Sequence, residues 1–315
     1  MTEQLERLVE ENIMARPRGT DEVVTVVAVL GGGTMGQGLA QTVSQHGIDV
    51  LLIEQNEEAL DRAMNELSDK LDQQINRWSI TESDKRAILT RIEGTTQLEK
   101  VEECDLLIEA IPEIIEEKKN LLSIADELCP PETVFVTNTS TLSITEIAAA
   151  TDREDQVIGM HFLNPVHRIP LVEIVRGLKT SDATFHYVQR FAGMLDKTAV
   201  EVFEYPGYVT TRVILPMINE AMFVVMEGVA SAHGVETAMK LGFNFEEGPL
   251  SLADRMGLDE LLFWMETLFR ELGDQKYRPC PILKKLVHAG RLGKKTGHGF
   301  FKYDENGRKI GGFEM

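Results

Sequence analysis

The chain has 315 residues, 43% of them hydrophobic, and a formal net charge of -19. That length and apolar share suffice for one large or two moderate packed domains rather than extended disorder. The acidity repels nucleic acid and anionic membrane, both of which carry dense negative charge, and it requires local basic residues for any phosphate-rich ligand. The longest apolar stretches, residues 25–30 and 213–225, fall short of the roughly 20 residues that span a bilayer, so a soluble protein is expected. The start, MTEQLERLVEEN, is acidic and has neither the basic-then-apolar order of a signal peptide nor the character of a transit peptide, which points to the cytoplasm. Cys104, Cys129 and Cys280 are scattered, odd in number and outside any CxxC or metal-ligand spacing; they read as packing residues of a reducing compartment, and no metal site is expected.

In chain order, residues 1–22 read as a charged appendage with one short surface helix at most. From residue 23 the run VVTVVAVL leads into glycines, a helix over 39–46 and a second apolar run at 50–54: strand, turn, helix, strand. A helical hairpin is predicted over about 56–97 from the spacing of Leu60, Met64, Leu67, Leu71, Ile75, Ile88 and Ile92, with its bend near 79–83. Strands follow at 106–110, 133–137 and 157–160, with further candidates at 171–175 and 199–203, alternating with helical stretches as a parallel sheet covered on both faces requires. After Tyr205-Pro206-Gly207 strand signals stop. Helices are predicted over 213–232, 235–241, 252–271 and 281–289. The fold class expected is therefore α/β: a Rossmann-type, mostly parallel sheet with a helical hairpin insertion over 23–205, then a smaller all-helical domain over 206–315.

The segment GGGTMG sits between the first strand and a helix. Gly31 can make the tight turn, Gly33 lets a pyrophosphate approach the backbone, and Gly36 permits helix to pack on strand. Thr34 and Met35 complete the turn, and the amides of the helix N-terminus face the phosphates. Glu54 ends the second strand 23 residues after Gly31, where a carboxylate accepts hydrogen bonds from ribose hydroxyls and repels a 2'-phosphate. NAD is therefore expected rather than NADP.

His161 follows the strand at 157–160 and so belongs at the carboxyl edge of the sheet, where ligands of such sheets bind. Glu173 interrupts the apolar run LVEIV, and a carboxylate there needs a partner because burying it alone is costly. A His/Glu pair suits alcohol oxidation: the imidazole takes the hydroxyl proton and the carboxylate orients the ring and stabilises imidazolium.

GGGTMGQGLAQ, NTSTLSITEIA, HFLNPV, LVEIV, PGYVTTR, GPLSLADRMGLD and LGKKTGHGFFKY occur in an order and spacing that resembles the L-3-hydroxyacyl-CoA dehydrogenase family, including bacterial 3-hydroxybutyryl-CoA dehydrogenases, over about residues 24–304. The resemblance implies a Rossmann domain with a helical hairpin, then a helical domain that contributes to the substrate cleft and forms a homodimer. It implies that His161 is the base, Glu173 its partner, and Ser140 a contact to both substrate and cofactor. It places Asn164 near the nicotinamide and makes Glu113, Lys118 and Lys295 cofactor contacts. Read from the residues alone, Glu113 and Lys118 look like a solvated pair at a helix start.

Two departures from the family pattern stand out. Thr211 precedes Arg212 where asparagine is common, and a hydroxyl lacks the reach and paired donor and acceptor of an amide. The hairpin tip, QQINRWS, offers Arg77, with Lys70 one or two turns earlier, where relatives carry several lysines for CoA phosphates. Trp78 reads equally as a stacking platform for adenine or as packing. The expected activity is NAD-dependent interconversion of an (S)-3-hydroxyacyl-CoA and its 3-ketoacyl-CoA, short-chain by resemblance, with Ser140 and Thr211 on the substrate oxygens. The sparse basic residues keep open a dehydrogenase of free hydroxy acids or sugar acids, and Thr211 keeps open a non-catalytic NAD-binding or structural protein.

Overall fold

A computed structural model of the chain describes residues 24–305 and 307–312; the predicted appendage at 1–22 lies outside them. The chain divides into two compact units with the boundary between Glu204 and Tyr205. In the first unit β1 (Val26–Leu30) leads through α1 (Thr34–Gln45) to β2 (Asp49–Ile53), as the alternation of β-branched run, glycines and amphipathic stretch predicts. The hairpin follows as α2 (Glu57–Asn76) and α3 (Glu82–Thr90), capped by the side chains of Asn56 and Thr81. It is shorter than the predicted 56–97, because residues from Ile92 onward form an edge strand, β3 (Ile92–Thr95). Four residues with only Ile92 and Thr95 turned into the core leave too short an alternation to separate from the helical period before them.

The chain continues through β4 (Leu106–Glu109), α4 (Ile115–Leu128), β5 (Val134–Thr137), α5 (Ile144–Ala148), β6 (Val157–Phe162), β7 (Leu171–Arg176), α6 (Asp182–Met194) and β8 (Thr198–Phe203). The eight strands run in the order β3-β2-β1-β4-β5-β6-β7-β8. All neighbours are parallel except β6 and β7, which are antiparallel. Strand order reverses between β1 and β4, and at such a switch point the chain leaves a crevice outside the carboxyl ends of the strands. Val27, Val29, Leu106, Ile108, Val136 and Ile158 are fully buried between helices on the two faces, which is why these strands read as continuous apolar runs.

The second unit holds α7 (Thr210–Met226), α8 (Ala232–Phe243), α9 (Pro249–Met256), α10 (Leu258–Leu272) and α11 (Pro281–His288) around a separate core that includes Leu215, Met222, Leu261, Leu268, Tyr277 and Phe300. The predicted helix over 252–271 is two helices, because Gly257 takes φ +102°, a conformation no helix tolerates. A small antiparallel ribbon, β9 (Lys302–Tyr303) with β10 (Lys309–Gly311), closes this otherwise helical unit. Among the described residues no helix is long and apolar enough to cross a membrane.

Candidate active site

The glycine turn lies at the β1 side of the switch point. Gly31 has φ +97°, and a side chain there would also meet the carbonyl of Ala110 after β4 at 3.0 Å. A Cβ on Gly36 would stand 1.8 Å from the Gly31 carbonyl oxygen, so helix and strand approach only over a bare α-carbon. Gly32 packs against Ala63 of the hairpin, and its amide donates to Glu54 Oε1 at 2.7 Å.

Gly33 differs from its neighbours. It is exposed, and a Cβ built on it meets nothing within 4 Å, so no protein atom explains the glycine. Thr34, also exposed, and half-buried Met35 follow it in the first turn of α1, where no side chain caps the helix and no acid lies in the first turn. Orphan amides and the positive end of the dipole thus converge on a bare backbone surface, which fits the pyrophosphate of a dinucleotide. The Glu54 carboxylate, which also accepts from the Gln55 amide at 3.1 Å, keeps acceptor capacity beyond these two bonds.

The second cluster forms where β5 and β6 end. His161 and Glu173 face each other in the antiparallel register of β6 and β7, so their side chains lie on the same sheet face. His161 stands within β6 rather than after it. Its Nδ1 lies 2.6 Å from Glu173 Oε2, and both residues are buried. An ionised carboxylate only accepts, so Nδ1 carries the proton and Nε2 is left as the basic nitrogen. Nε2 lies 3.2 Å from Ser140 Oγ.

Ser140 is fixed in turn. Glu113 Oε1 accepts from the Ser140 amide at 2.7 Å and from Thr139 Oγ1 at 2.6 Å, while Asn138 Oδ1 accepts from the Phe162 amide at 3.2 Å and ties this loop to β6.

Glu113 and Lys118 are not the solvated pair that the residues alone suggest. Lys118 is completely buried, and its ammonium donates to Glu109 Oε1 at 2.6 Å and to the Ile111 carbonyl at 3.1 Å, with Glu113 Oε2 at 3.3 Å. Glu109 is equally buried and also accepts from Thr137 Oγ1 at 2.6 Å and the Ile111 amide at 2.7 Å. Burial pushes its carboxyl upward, against the opposing pull of Lys118. Sequence reasoning missed Glu109, Thr137 and Thr139. The signal for Glu109 was present, since it ends the run LLIE as Glu173 interrupts LVEIV.

The other predicted residues are dispersed. Asn164 is exposed beyond β6 and precedes a cis Pro165. Lys70 is not at the hairpin tip; it donates to Gln37 Oε1 at 2.5 Å, and burial holds its ammonium below the usual lysine range. Gln37 itself donates to the Gly32 carbonyl at 2.8 Å and to Glu66 at 2.9 Å. Arg77 and Trp78 are exposed at the tip, with Trp78 95% exposed, so the packing alternative for Trp78 finds no support within the chain. Thr211 and Lys295 belong to the second unit. Thr211 is buried in the first turn of α7, and Lys295 is ion-paired with Asp259 at 2.6 Å.

Known proteins similar to this chain point in the same direction as the turn and the imidazole on one sheet edge. Residues 26–205 match the family model described as the NAD binding domain of 3-hydroxyacyl-CoA dehydrogenase, and residues 207–303 match the model of its C-terminal domain. The chain belongs to the 3-hydroxyacyl-CoA dehydrogenase family. It is 47% identical over 279 residues to a probable 3-hydroxybutyryl-CoA dehydrogenase of Bacillus subtilis, covering 89% of this chain and 97% of that one. A 3-hydroxybutyryl-CoA dehydrogenase of Clostridioides difficile is 43% identical, with 89% and 99% covered. The crystal structure of an (S)-3-hydroxybutyryl-CoA dehydrogenase from Ralstonia eutropha superposes with a TM-score of 0.82 at 40% identity, covering 90% of this chain and all of the other.

The enzyme is thus an NAD-dependent oxidoreductase that interconverts 3-hydroxyacyl-CoA and 3-ketoacyl-CoA. These matches support the thioester reading over a free-acid dehydrogenase or a non-catalytic protein.

Proposed function

We propose that the enzyme acts on short-chain thioesters, interconverting (S)-3-hydroxybutyryl-CoA and acetoacetyl-CoA. The names of its relatives from Bacillus subtilis and Clostridioides difficile support the chain length. The line Glu173, His161, Ser140 carries the mechanism. In the oxidative direction His161 Nε2 takes the proton of the C3 hydroxyl, and Glu173 stabilises the imidazolium that results. Ser140 Oγ, beside Nε2, donates to the C3 oxygen and holds it within reach of the base. Bound NAD supplies the hydride acceptor, which the ring and hydroxyl cannot provide.

For the cofactor, Gly31, Gly33, Thr34, Met35 and Gly36 offer backbone to the pyrophosphate, and Glu54 accepts from the adenosine ribose. Asn164, Glu113, Lys118 and Lys295 are the further candidate contacts. Thr211 is a candidate substrate contact, and Lys70 and Arg77 are candidates for the CoA phosphates. The exposed Arg77 fits that role better than Lys70, whose ammonium is already engaged by Gln37. We further propose a homodimer formed through the helical unit and a cytoplasmic location. Exposed Val213, Leu241 and Phe243 supply apolar surface for the dimer.

NADH oxidation across acetoacetyl-CoA and longer 3-ketoacyl-CoAs, with acetoacetate and gulonate in parallel, tests the substrate. The highest kcat/KM is expected with acetoacetyl-CoA, and a preference for long acyl chains would reject the short-chain assignment. Light scattering on the eluting protein tests the dimer.

A further inference from the structure

We infer that Glu109 is a positioning residue for the dehydrogenation, acting through Lys118 and Glu113 on the loop that carries Ser140. The inference rests on the reading of His161 and Ser140 as the groups at the reacting carbon.

Glu109 is the last residue of β4 and pairs in register with Thr137, the last residue of β5. Both of its carboxylate oxygens are committed: Oε2 to Thr137 Oγ1, and Oε1 to Lys118 Nζ and the Ile111 amide. Its backbone carbonyl accepts from the Asn138 amide at 2.9 Å, at the start of the same loop that holds Thr139 and Ser140. The carboxylate is therefore a fixed point rather than a group that adapts to ligand.

Lys118, wholly buried, shares one ammonium between two carboxylates. Its contact with Glu109 is a close hydrogen bond. That with Glu113 Oε2 is 3.3 Å and lacks hydrogen-bond geometry. Glu113 consequently keeps its other oxygen for Thr139 and the Ser140 amide.

This division depends on Glu109 holding most of the cation. If its charge is removed, the ammonium has only Glu113 left as a counter-ion among the carboxylates placed around it. An unpaired buried cation is costly, so Glu113 is drawn toward Lys118 and away from the loop. Ser140 Oγ then loses its position 3.2 Å from His161 Nε2. A displacement of about 1 Å at such a site lowers turnover by about 10²-fold. A merely structural ion pair between β4 and α4 would lower stability and leave turnover per folded molecule intact.

The test is Glu109→Gln in the whole enzyme, with kcat and KM measured on acetoacetyl-CoA at saturating NADH, NADH affinity by fluorescence and Tm by calorimetry. The expected result is a kcat at saturating NADH lower by about 10- to 100-fold, with KM for acetoacetyl-CoA within about threefold of the parent, which is less than 1 kcal/mol. A folded variant with kcat at saturating NADH within about twofold of the parent overturns the inference. Glu113→Gln combined with Glu109→Gln should fall no further than the worse single change, because residues in series do not add. Multiplicative losses overturn the relay. If Glu109→Gln fails to fold, Glu109→Asp keeps the charge and shortens the reach; a folded Glu109→Asp with unchanged kcat overturns the inference, and a selective fall in kcat upholds it. His161→Gln run alongside separates the two levels: an active His161→Gln rejects the catalytic reading itself, whereas an inactive one beside an unimpaired Glu109→Gln rejects only the role of Glu109.

Discussion

Both units bury charged side chains, but they use them differently. In the second unit Asp254 and Glu236 tie chain segments together. Asp254 accepts from the amides of Phe300 and Phe301 and from Tyr303 Oη, and Glu236 accepts from the amides of Leu250 and Ser251, from the Ser251 hydroxyl and from Lys309 Nζ. Each clamps one chain segment on another. Gly299, whose Cβ would lie 2.0 Å from Asp254 Oδ1, shows how tightly the clamp closes.

In the first unit Glu109, Lys118, Glu113, Ser140, His161 and Glu173 form a succession that passes through the Ser140 amide and ends at the imidazole. A buried acid satisfied by amides holds a fold together. An imidazole held by a carboxylate beside a hydroxyl can take up a proton.

The largest expected effect breaks the first arrangement. His161→Gln should lower kcat by about 10²-fold or more with NADH Kd little changed, as expected for loss of a general base. Glu173→Gln should cost about 10- to 100-fold, because an amide can donate to Nδ1 and favour the wrong tautomer. Steady-state kinetics beside NADH titration checks both, and near-normal turnover of His161→Gln would remove the proton acceptor from the account.

Asp254 offers the matching break in the second unit. Burial pushes its carboxyl up to about 6 from an ordinary 3.8, against the pull of the Phe300 and Phe301 amides, Tyr303 and Lys309. The folded state thus binds this proton more tightly than the unfolded chain. The associated stability is fully present below about pH 4 and is lost as pH rises through 6, by up to about 3 kcal/mol at 1.36 kcal/mol per pH unit. Asp254→Asn should flatten that segment of the Tm-against-pH curve while leaving the KM for acetoacetyl-CoA near its parent value. Parallel curves for parent and variant between pH 4 and 7 would reject the assignment.

The glycine turn sharpens the same contrast on a smaller scale. Gly36→Ala forces a methyl onto the Gly31 carbonyl and should destabilise by about 2 to 4 kcal/mol. Gly33→Ala, with φ -69° and open space around it, should alter stability by less than about 0.5 kcal/mol. It should nevertheless weaken NADH binding by about tenfold, equal to about 1.4 kcal/mol. Thermal melts and NADH titrations of the two variants read the difference directly; unchanged NADH affinity in Gly33→Ala would remove that glycine from the cofactor site.

The smallest effect is expected at the hairpin tip. Trp78→Ala should change stability by less than about 0.5 kcal/mol, since the ring is solvent-exposed. If the ring stacks on the CoA adenine, KM for acetoacetyl-CoA rises by several-fold, consistent with about 1 kcal/mol for an aromatic pair. An unaltered KM would leave the exposed ring without that role.

Much of this was legible in the residues because it rests on local rules. β-branched runs, three glycines at fixed offsets and a carboxylate at the end of the second strand encode strand, turn and dinucleotide preference in about 30 consecutive residues. Glu173 announced a partner by interrupting an apolar strand. Short elements were not legible: β3 and the β9/β10 ribbon hold four, two and three residues, too few for any period to emerge. Read from the residues alone, Lys118 looks solvated because on its own helix it sits one turn from acids, while its hydrogen-bonded partner, Glu109, lies on another element.

The sequence by itself determined the Rossmann class, the NAD turn, the helical second half and the chemistry types of the site, because those follow from patterns along the chain. Only the tertiary structure decided that His161 stands opposite Glu173, that Glu113 holds the Ser140 loop, and that Lys118 is divided between two carboxylates. Register and burial are set by strands 12 to 28 residues apart meeting in space, as His161 with Glu173 and Glu109 with Thr137 show, and no local pattern specifies such distances.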